Sequence, residues 1–265
     1  MAHSNLVVKI FFGAVLWTIG FMTLASFASH KAIQEDPQIL HKISKAIGLE
    51  ISDSNIGFHF NDGSFTPAKG DWEFPVPEEM IEIKTVAADI LISASGADKV
   101  IITATGELDS SESEALLETS MNNGVLEIKQ DEENSRNVAI HIQVPTSYSK
   151  KLDVKSVSGD LKLQGVALGM LEIKSISGDI QADSVRANEV QIKSVSGDIN
   201  MQNLQLGPIE ISTISGDVQL EIPAGSKAKF NLKSVSGDIE NAFGSVDSEV
   251  SINIKTTSGD IKILQ

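Results

Sequence analysis

From residue 151 onward, apolar and polar positions recur in a frame of about twenty residues. Counting frames from Lys151, Met170, Glu189, Pro208, Lys229 and Ser251, positions two, four, seven and eleven are apolar at 23 of 24 sites, Thr257 being the exception. Positions two and four alternate with polar neighbours, as a half-buried strand requires. The parity shifts between four and seven, so the chain is expected to bend there and keep position seven inside. Position nine is always glycine (Gly159, Gly178, Gly197, Gly216, Gly237 and Gly259), the residue that supplies positive φ in a tight turn. An aspartate follows at position ten, and positions eleven and thirteen open the next inward-facing strand. Each frame predicts two or three short strands joined by tight turns.

The frames repeat a phrase, Ser/Thr-x-Ser-Gly-Asp-aliphatic, with aspartates at 160, 179, 198, 217, 238 and 260. The intervals are 19, 19, 19, 21 and 22 residues. Self-similarity at such a period marks a solenoid, in which each repeat buries its apolar face against its neighbours. Equivalent strands on successive coils pair in parallel, about 4.8 Å apart, and the crossover rule favours a right-handed coil. The predicted fold class is therefore all-β, a parallel β-solenoid resembling a right-handed β-helix. An antiparallel sandwich also uses short strands and regular turns, but does not need the same turn residues six times. The longer intervals come from insertions, 223–226 after Ile222 and another around Phe243-Gly244, expected to bulge from one face as loops. The chain closes on Ile261-Lys262-Ile263-Leu264-Gln265, an apolar strand without a polar cap, which raises self-association through the solenoid end.

Residues 80–150 read as degenerate coils. MIEIKTVAADILI at 80–92 matches the frame, with Ala87-Ala88-Asp89 in place of Ser-Gly-Asp. Alternating segments follow at 100–105, 125–129 and 138–144, the last ended by Pro145. Residues 107–121 are acidic and lack alternation, so a short surface helix or loop is expected there. Residues 131–134 read as a solvated turn.

The N-terminal part has a different pattern. Residues 10–28 contain no charge, which suits a membrane-spanning helix; Ser26-Phe27-Ala28 also permits signal cleavage near Ala28. Residues 37–47 carry Ile39, Leu40, Ile43 and Ile47 on one helical face. Residues 51–79 are rich in turn formers and hold Phe58, Phe60, Phe65, Trp72 and Phe74, aromatics suited to capping the first coil. The domain reading is 1–31 anchor or signal, 32–79 juxtamembrane helix and aromatic cap, 80–150 degenerate coils and 151–265 regular solenoid.

The 265-residue chain carries a formal charge of −15. All 36 acidic residues lie beyond residue 31 with 19 of the 21 basic ones, leaving −17 on the body. That balance disfavours nucleic acid as a partner. With no cysteine, thiol catalysis and cysteine-ligated zinc are excluded. The five histidines form no metal-ligand spacing, and neither a phosphate loop nor a nucleophile elbow occurs, so the chain reads as non-enzymatic and without cofactor. A register of aspartates is unfavourable unless compensated. Turn N–H groups could compensate it, with the serine at position eight assisting. So could the lysines at position five (155, 174, 193, 233, 255), or calcium held by Asp160, Asp179, Asp198, Asp217, Asp238 and Asp260. A polysaccharide-cleaving β-helix is the enzymatic alternative, although one aspartate in every coil suits a turn device better than one active site.

The repeated Ser-Gly-Asp phrases, with IHIQVP at 140–145 and an N-terminal span before the repeats, resemble the bacterial putative-adhesin family with β-strand repeats, a domain-of-unknown-function family. The layout is similar to its membrane-anchored Gram-positive members. The resemblance covers roughly 55–265 and implies a β-solenoid at the cell surface or envelope; it supplies no catalytic residues. The expected function is that of a single-pass protein with its N-terminus inside and an extracytoplasmic body that binds an unknown protein or cell-wall component. A structural or envelope-stress role through end-to-end assembly is the alternative.

Overall fold

The computed structural model describes residues 65–109, 115–131, 134–205, 207–244 and 248–265. The expected membrane span at 10–28, the helix at 37–47 and Phe58/Phe60 lie outside them. Among the described residues, no helix is long and apolar enough to cross a membrane.

The described chain is all strand and turn. Its first part holds β1 (Phe65–Pro75), β2 (Met80–Ser95), β3 (Lys99–Asp109), β4 (Leu117–Asn122), β5 (Val125–Gln130) and β6 (Ser135–Pro145). Six two-strand coils follow: β7 (Lys151–Ser158) with β8 (Leu161–Gln164), β9 (Ala167–Ser175) with β10 (Ile180–Asp183), and β11 (Arg186–Ser194) with β12 (Ile199–Gln202). The last three are β13 (Ile209–Ser212) with β14 (Val218–Glu221), β15 (Lys229–Ser236) with β16 (Ile239–Asn241), and β17 (Ser251–Ser258) with β18 (Ile261–Leu264).

The first strand of each coil joins sheet B and the second joins sheet A, and successive coils pair in parallel and in register. Leu152, for example, opposes Leu171 in sheet B, and Leu161 opposes Ile180 in sheet A. The long strand β2 serves both sheets. Its first half pairs with β5 and β7 in sheet B, and its second half with β6 and β8 in sheet A. Antiparallel strands finish this end: β4 on β5, and β1 on β3 on β6. They change the strand direction and cover the first coil's edges, which the repeats alone would leave open. Trp72 folds its ring over Gly70 and, with Phe74, packs on the core. Of the segment 107–121, expected as a helix or loop, residues 110–114 lie outside the described ones, and the rest instead supplies the end of β3 and all of β4 but Asn122. Thr119, Met121 and their neighbours pair with β5, and tertiary pairing overrides the weak local pattern.

Inward residues of both sheets form one aliphatic core, including Ile83, Leu152, Ile173, Ile192, Ile211 and Ile254. Its largest fully buried side chain is Tyr148, whose hydroxyl accepts the Ile81 N–H at 3.0 Å and donates to the Lys151 carbonyl. That hydroxyl ties the first regular coil to β2, and burial raises its pKa.

Two expectations about the repeat are corrected. The inward parity runs through two, four and six: position six is the buried Ser156, Ser175, Ser194, Thr213 or Thr256. Position seven lies outside the core. Ile176 and Val195 are 9% and 4% exposed yet stand apart from the core cluster, and Val235 at the same position is 72% exposed. The strand tolerates an inward hydroxyl because it is satisfied locally: Ser156, Ser175, Ser194, Thr213 and Thr256 each donate to the position-eight carbonyl at 3.0–3.2 Å.

The second correction concerns the end of the stack. The last coil in sequence is not the last in space, because β17 lies between β13 and β15, and β18 between β14 and β16. Ile261 and Ile263 are fully buried there, so 261–265 is no open apolar end. The coil of β15 and β16 takes the outermost place. The insertions at 223–226 and around Phe243-Gly244, expected to bulge as loops, lie where the chain passes out to that coil and returns; 245–247 lie outside the described residues. Lys229 N–H donates to the Val250 carbonyl, and Ser248 Oγ to the Lys227 carbonyl. Side chains explain the exchange. Position thirteen is Leu163, Ala182, Met201, Leu220 and Ile263 in the other coils but Asn241 in this one. A buried amide would need partners that an aliphatic core lacks. At the open end Asn241 is exposed, and its Oδ1 accepts the Phe243 N–H at 3.0 Å.

Candidate interaction surfaces

The Ser-Gly-Asp corners form one continuous rail. Each corner glycine has positive φ, from 107° at Gly159 to 143° at Gly237. A Cβ at Gly178, Gly197, Gly216 or Gly259 would stand 2.1–2.2 Å from the carbonyl oxygen of the glycine one coil away. The turns stack too closely for any side chain. Beside them, each aspartate Oδ1 except that of the outermost, Asp238, accepts the backbone N–H of the aspartate in the adjoining coil. The order is Asp89, Asp160, Asp179, Asp198, Asp217, Asp260 and Asp238, with distances of 2.8–3.0 Å. Asp89, at the place that substitutes Ala-Ala for Ser-Gly, begins the rail. The carboxylates are compensated by turn donors, as charge-assisted hydrogen bonds. The assisting hydroxyl is the one at position six, and the serine at position eight contributes its carbonyl.

The lysines at position five meet different carboxylates. On the outer face of sheet B they form a column, Lys129, Lys84, Lys155, Lys174, Lys193, Ser212, Lys255 and Lys233 in spatial order. Position three runs alongside as Glu127, Glu82, Asp153, Glu172, Gln191, Glu210, Asn253 and Asn231. In the half near β5 the columns interlock: Lys155 lies 2.6 Å from Glu82, Lys84 2.9 Å from Glu127, Lys151 2.5 Å from Glu172 and Lys174 2.9 Å from Glu172. Asp153, 5% exposed, contacts Lys151 through Oδ2 at 3.2 Å while its Oδ1 has no protein partner.

These pairs make a pH prediction. Burial alone would raise the Glu172 pKa, but hydrogen bonds from Lys151 and Lys174 outweigh it and bring the pKa from 4.5 down to about 2. For Glu82 burial is likewise outweighed by Lys155 and Lys84, and Glu127 is lowered chiefly by Lys84. A carboxyl whose pKa is lower in the folded chain stabilises it fully above the unfolded value, and that contribution is lost as pH falls toward the folded value. The melting temperature is therefore expected to drop between about pH 4.5 and pH 2. Glu172→Gln should make the drop smaller. Circular-dichroism melts across that range check this, and identical drops would remove the column as its source.

The outer face of sheet A is acidic along the aspartate rail and holds a shallow depression of about 330 Å³ beside β3, lined by Asp89, Thr103, Thr105, His141, Asp160 and Lys162 among others. His141 Nε2 lies 2.8 Å from Ser93 Oγ. Arg186 borders two further recesses along the corner from sheet A to sheet B, of about 340 and 620 Å³. At the open end, Phe230 and Phe243 stack with centroids 5.9 Å apart, and Val235 and Ile239 are 72% and 46% exposed. Among the described residues, no three His, Cys, Asp or Glu side chains gather as a metal centre.

Two solved structures illustrate what this chain is similar to. A putative cell adhesion protein from Clostridium sporogenes ATCC 15579 aligns over 76% of this chain and 100% of its own, with 14% identity and a TM-score of 0.51. A putative adhesin from Bacteroides fragilis NCTC 9343 aligns over 75% of this chain and 97% of its own, with 17% identity and a TM-score of 0.47. At such identities the first likeness speaks for the fold alone. No curated protein matches the sequence. The family model for the Toastrack DUF4097 domain matches residues 79–264, from the start of β2 to the end of β18. By that match over most of its length, the chain belongs to the Toastrack DUF4097 family, a family of unknown function.

Proposed function

We propose that this protein is a non-enzymatic, membrane-anchored β-solenoid that works outside the cytoplasm as a cell-surface interaction protein. The observation that carries the reading is the construction of its faces. Each coil contributes one side chain per column, so a change at one position per repeat alters a regular surface while the core stays as it is. The uncharged run at 10–28 supplies the anchor, with the N-terminus inside and the body outside; release after cleavage near Ala28 is the variant of this reading. The adhesion name of the Clostridium sporogenes protein agrees with this direction, but the argument rests on the faces. A reporter-enzyme fusion at Gln265 tests the placement: activity on the outer side supports it, and activity confined to the cytoplasm ends it.

A second reading, assembly through the solenoid end, is favoured by the unpaired edge of β15 and β16 with Val235 and Ile239 exposed beside it. Edges of this kind invite pairing, although Lys229, Lys233 and the shortness of β16 oppose it. Light scattering on the full chain in detergent decides between the two: a strict monomer counts against assembly.

A further inference from the structure

The two columns on the outer face of sheet B change character between β9 and β11. Up to Glu172, position three supplies a carboxylate in every strand, and Lys84, Lys151, Lys155 and Lys174 are all in ion pairs. Beyond it, position three becomes Gln191, Glu210, Asn253 and Asn231, while position five keeps Lys193, Lys255 and Lys233. Lys229 stands on the same face at position one of the outermost strand. These four lysines are exposed and make no ion pair among the described residues. Lys255 and Lys233 are direct neighbours in register, an arrangement of like charge that disfavours the sheet unless a counter-charge is supplied. Three carboxylates border the area, among them the exposed Glu249, which precedes β17 beside Lys229. Glu189 is held by Gln191 Nε2 at 2.7 Å, and Glu210 is exposed opposite Gln191 and Asn253. The face is thus net positive on a chain of net −15.

We propose that this far half of sheet B binds a linear, phosphate-bearing polymer. Lys193, Lys255 and Lys233 would carry the charge contacts, Lys229 the outer rim, and the Gln191, Asn253 and Asn231 amides hydrogen bonds to phosphate oxygens. Lysine serves phosphate as a point charge without demanding a fixed fork geometry. A column of such charges along the stack suits a chain whose oxyanions repeat. The polymer supplies here the negative charge that Glu127, Glu82, Asp153 and Glu172 supply in the near half. The inference rests on the interaction reading above only for where such a polymer is met.

The test uses the full chain in a detergent with neutral headgroups, titrated with labelled linear inorganic polyphosphate at a series of salt concentrations. Binding is expected at low salt, with log affinity falling against log salt at a slope of about −2 to −3, as three or four neutralised phosphates on a single-stranded polyanion require. The triple variant Lys193→Gln, Lys233→Gln, Lys255→Gln should lose at least about tenfold in affinity, with the arginine triple retaining it and Glu210→Gln raising it. These side chains are exposed and unpaired and Lys233 and Lys255 repel each other, so the glutamine triple should melt no lower than the parent. Absence of binding at low salt, or equal binding by the glutamine triple, overturns the proposal. So does equal affinity for polygalacturonate, which removes the assignment to phosphate, or binding to phosphatidylglycerol vesicles alone, which makes the source a lipid surface. The reporter fusion fails or succeeds independently, so loss of the extracytoplasmic placement and loss of this site are separate results.

Discussion

Gly197→Ala is expected to lower the stability of the solenoid by about 2–5 kcal/mol, a large part of what a domain has in total. Two effects combine. The residue has φ of 109°, which costs an L-residue about 1–2 kcal/mol. Its new Cβ would also stand 2.2 Å from the Gly178 carbonyl oxygen. That atom is backbone in the next coil, fixed by ladders on both sides, so relief requires parting two coils, an overpacking cost of about 1–3 kcal/mol. Gly225→Ala isolates the first effect: φ is 81° there, but a Cβ would meet nothing within 4 Å, so about 1–2 kcal/mol is expected. Urea denaturation of both variants measures the difference. Equal losses would show that the corners are not held together by close backbone stacking.

The spatial exchange of the last two coils makes an equally direct prediction. Ile261→Ala should cost about 2–5 kcal/mol, because the side chain is fully buried between β14 and β16. Ile239→Ala, at the same position of the preceding coil, should cost less than about 1 kcal/mol, since that side chain is 46% exposed on the edge strand. If the coils instead stacked in sequence order, Ile239 would be interior, Ile261 would be at the end, and the ranking would reverse. The same urea titrations, compared pairwise, decide the order of the stack.

Much of this was legible beforehand because a repeat restates its own rules. The inward positions two, four, eleven and thirteen, the corner glycine and the parallel register follow from one frame read six times, and the match at 80–92 extended that frame to Asp89. Position six escapes the frame because serine and threonine count as polar in a periodicity argument. Their hydroxyls donate to a carbonyl two residues on, so they can be buried without loss, and the apolar residue at seven then packs apart from the main core. The segment 107–121 escapes it for a related reason: β4 is held by pairing with β5, and strand pairing leaves little local signal.

The candidate surfaces divide in the same way. That lysine recurs at position five, and acidic or amide residues at position three, is visible in the sequence. Which lysine faces which carboxylate depends on the register across coils and on the order of coils in space. The aspartates accept hydrogen bonds from adjoining coils, a compensation between coils that no single repeat contains. The exchange of the last two coils had one sequence signal, Asn241 where other coils carry an aliphatic residue, and two insertions long enough to permit it. The coil follows from the repeat alone, because each frame must bury the same positions and turn at the same glycine. The order of the stack and the partner of each charge are set in three dimensions, because those depend on which coil can best accept burial on both sides.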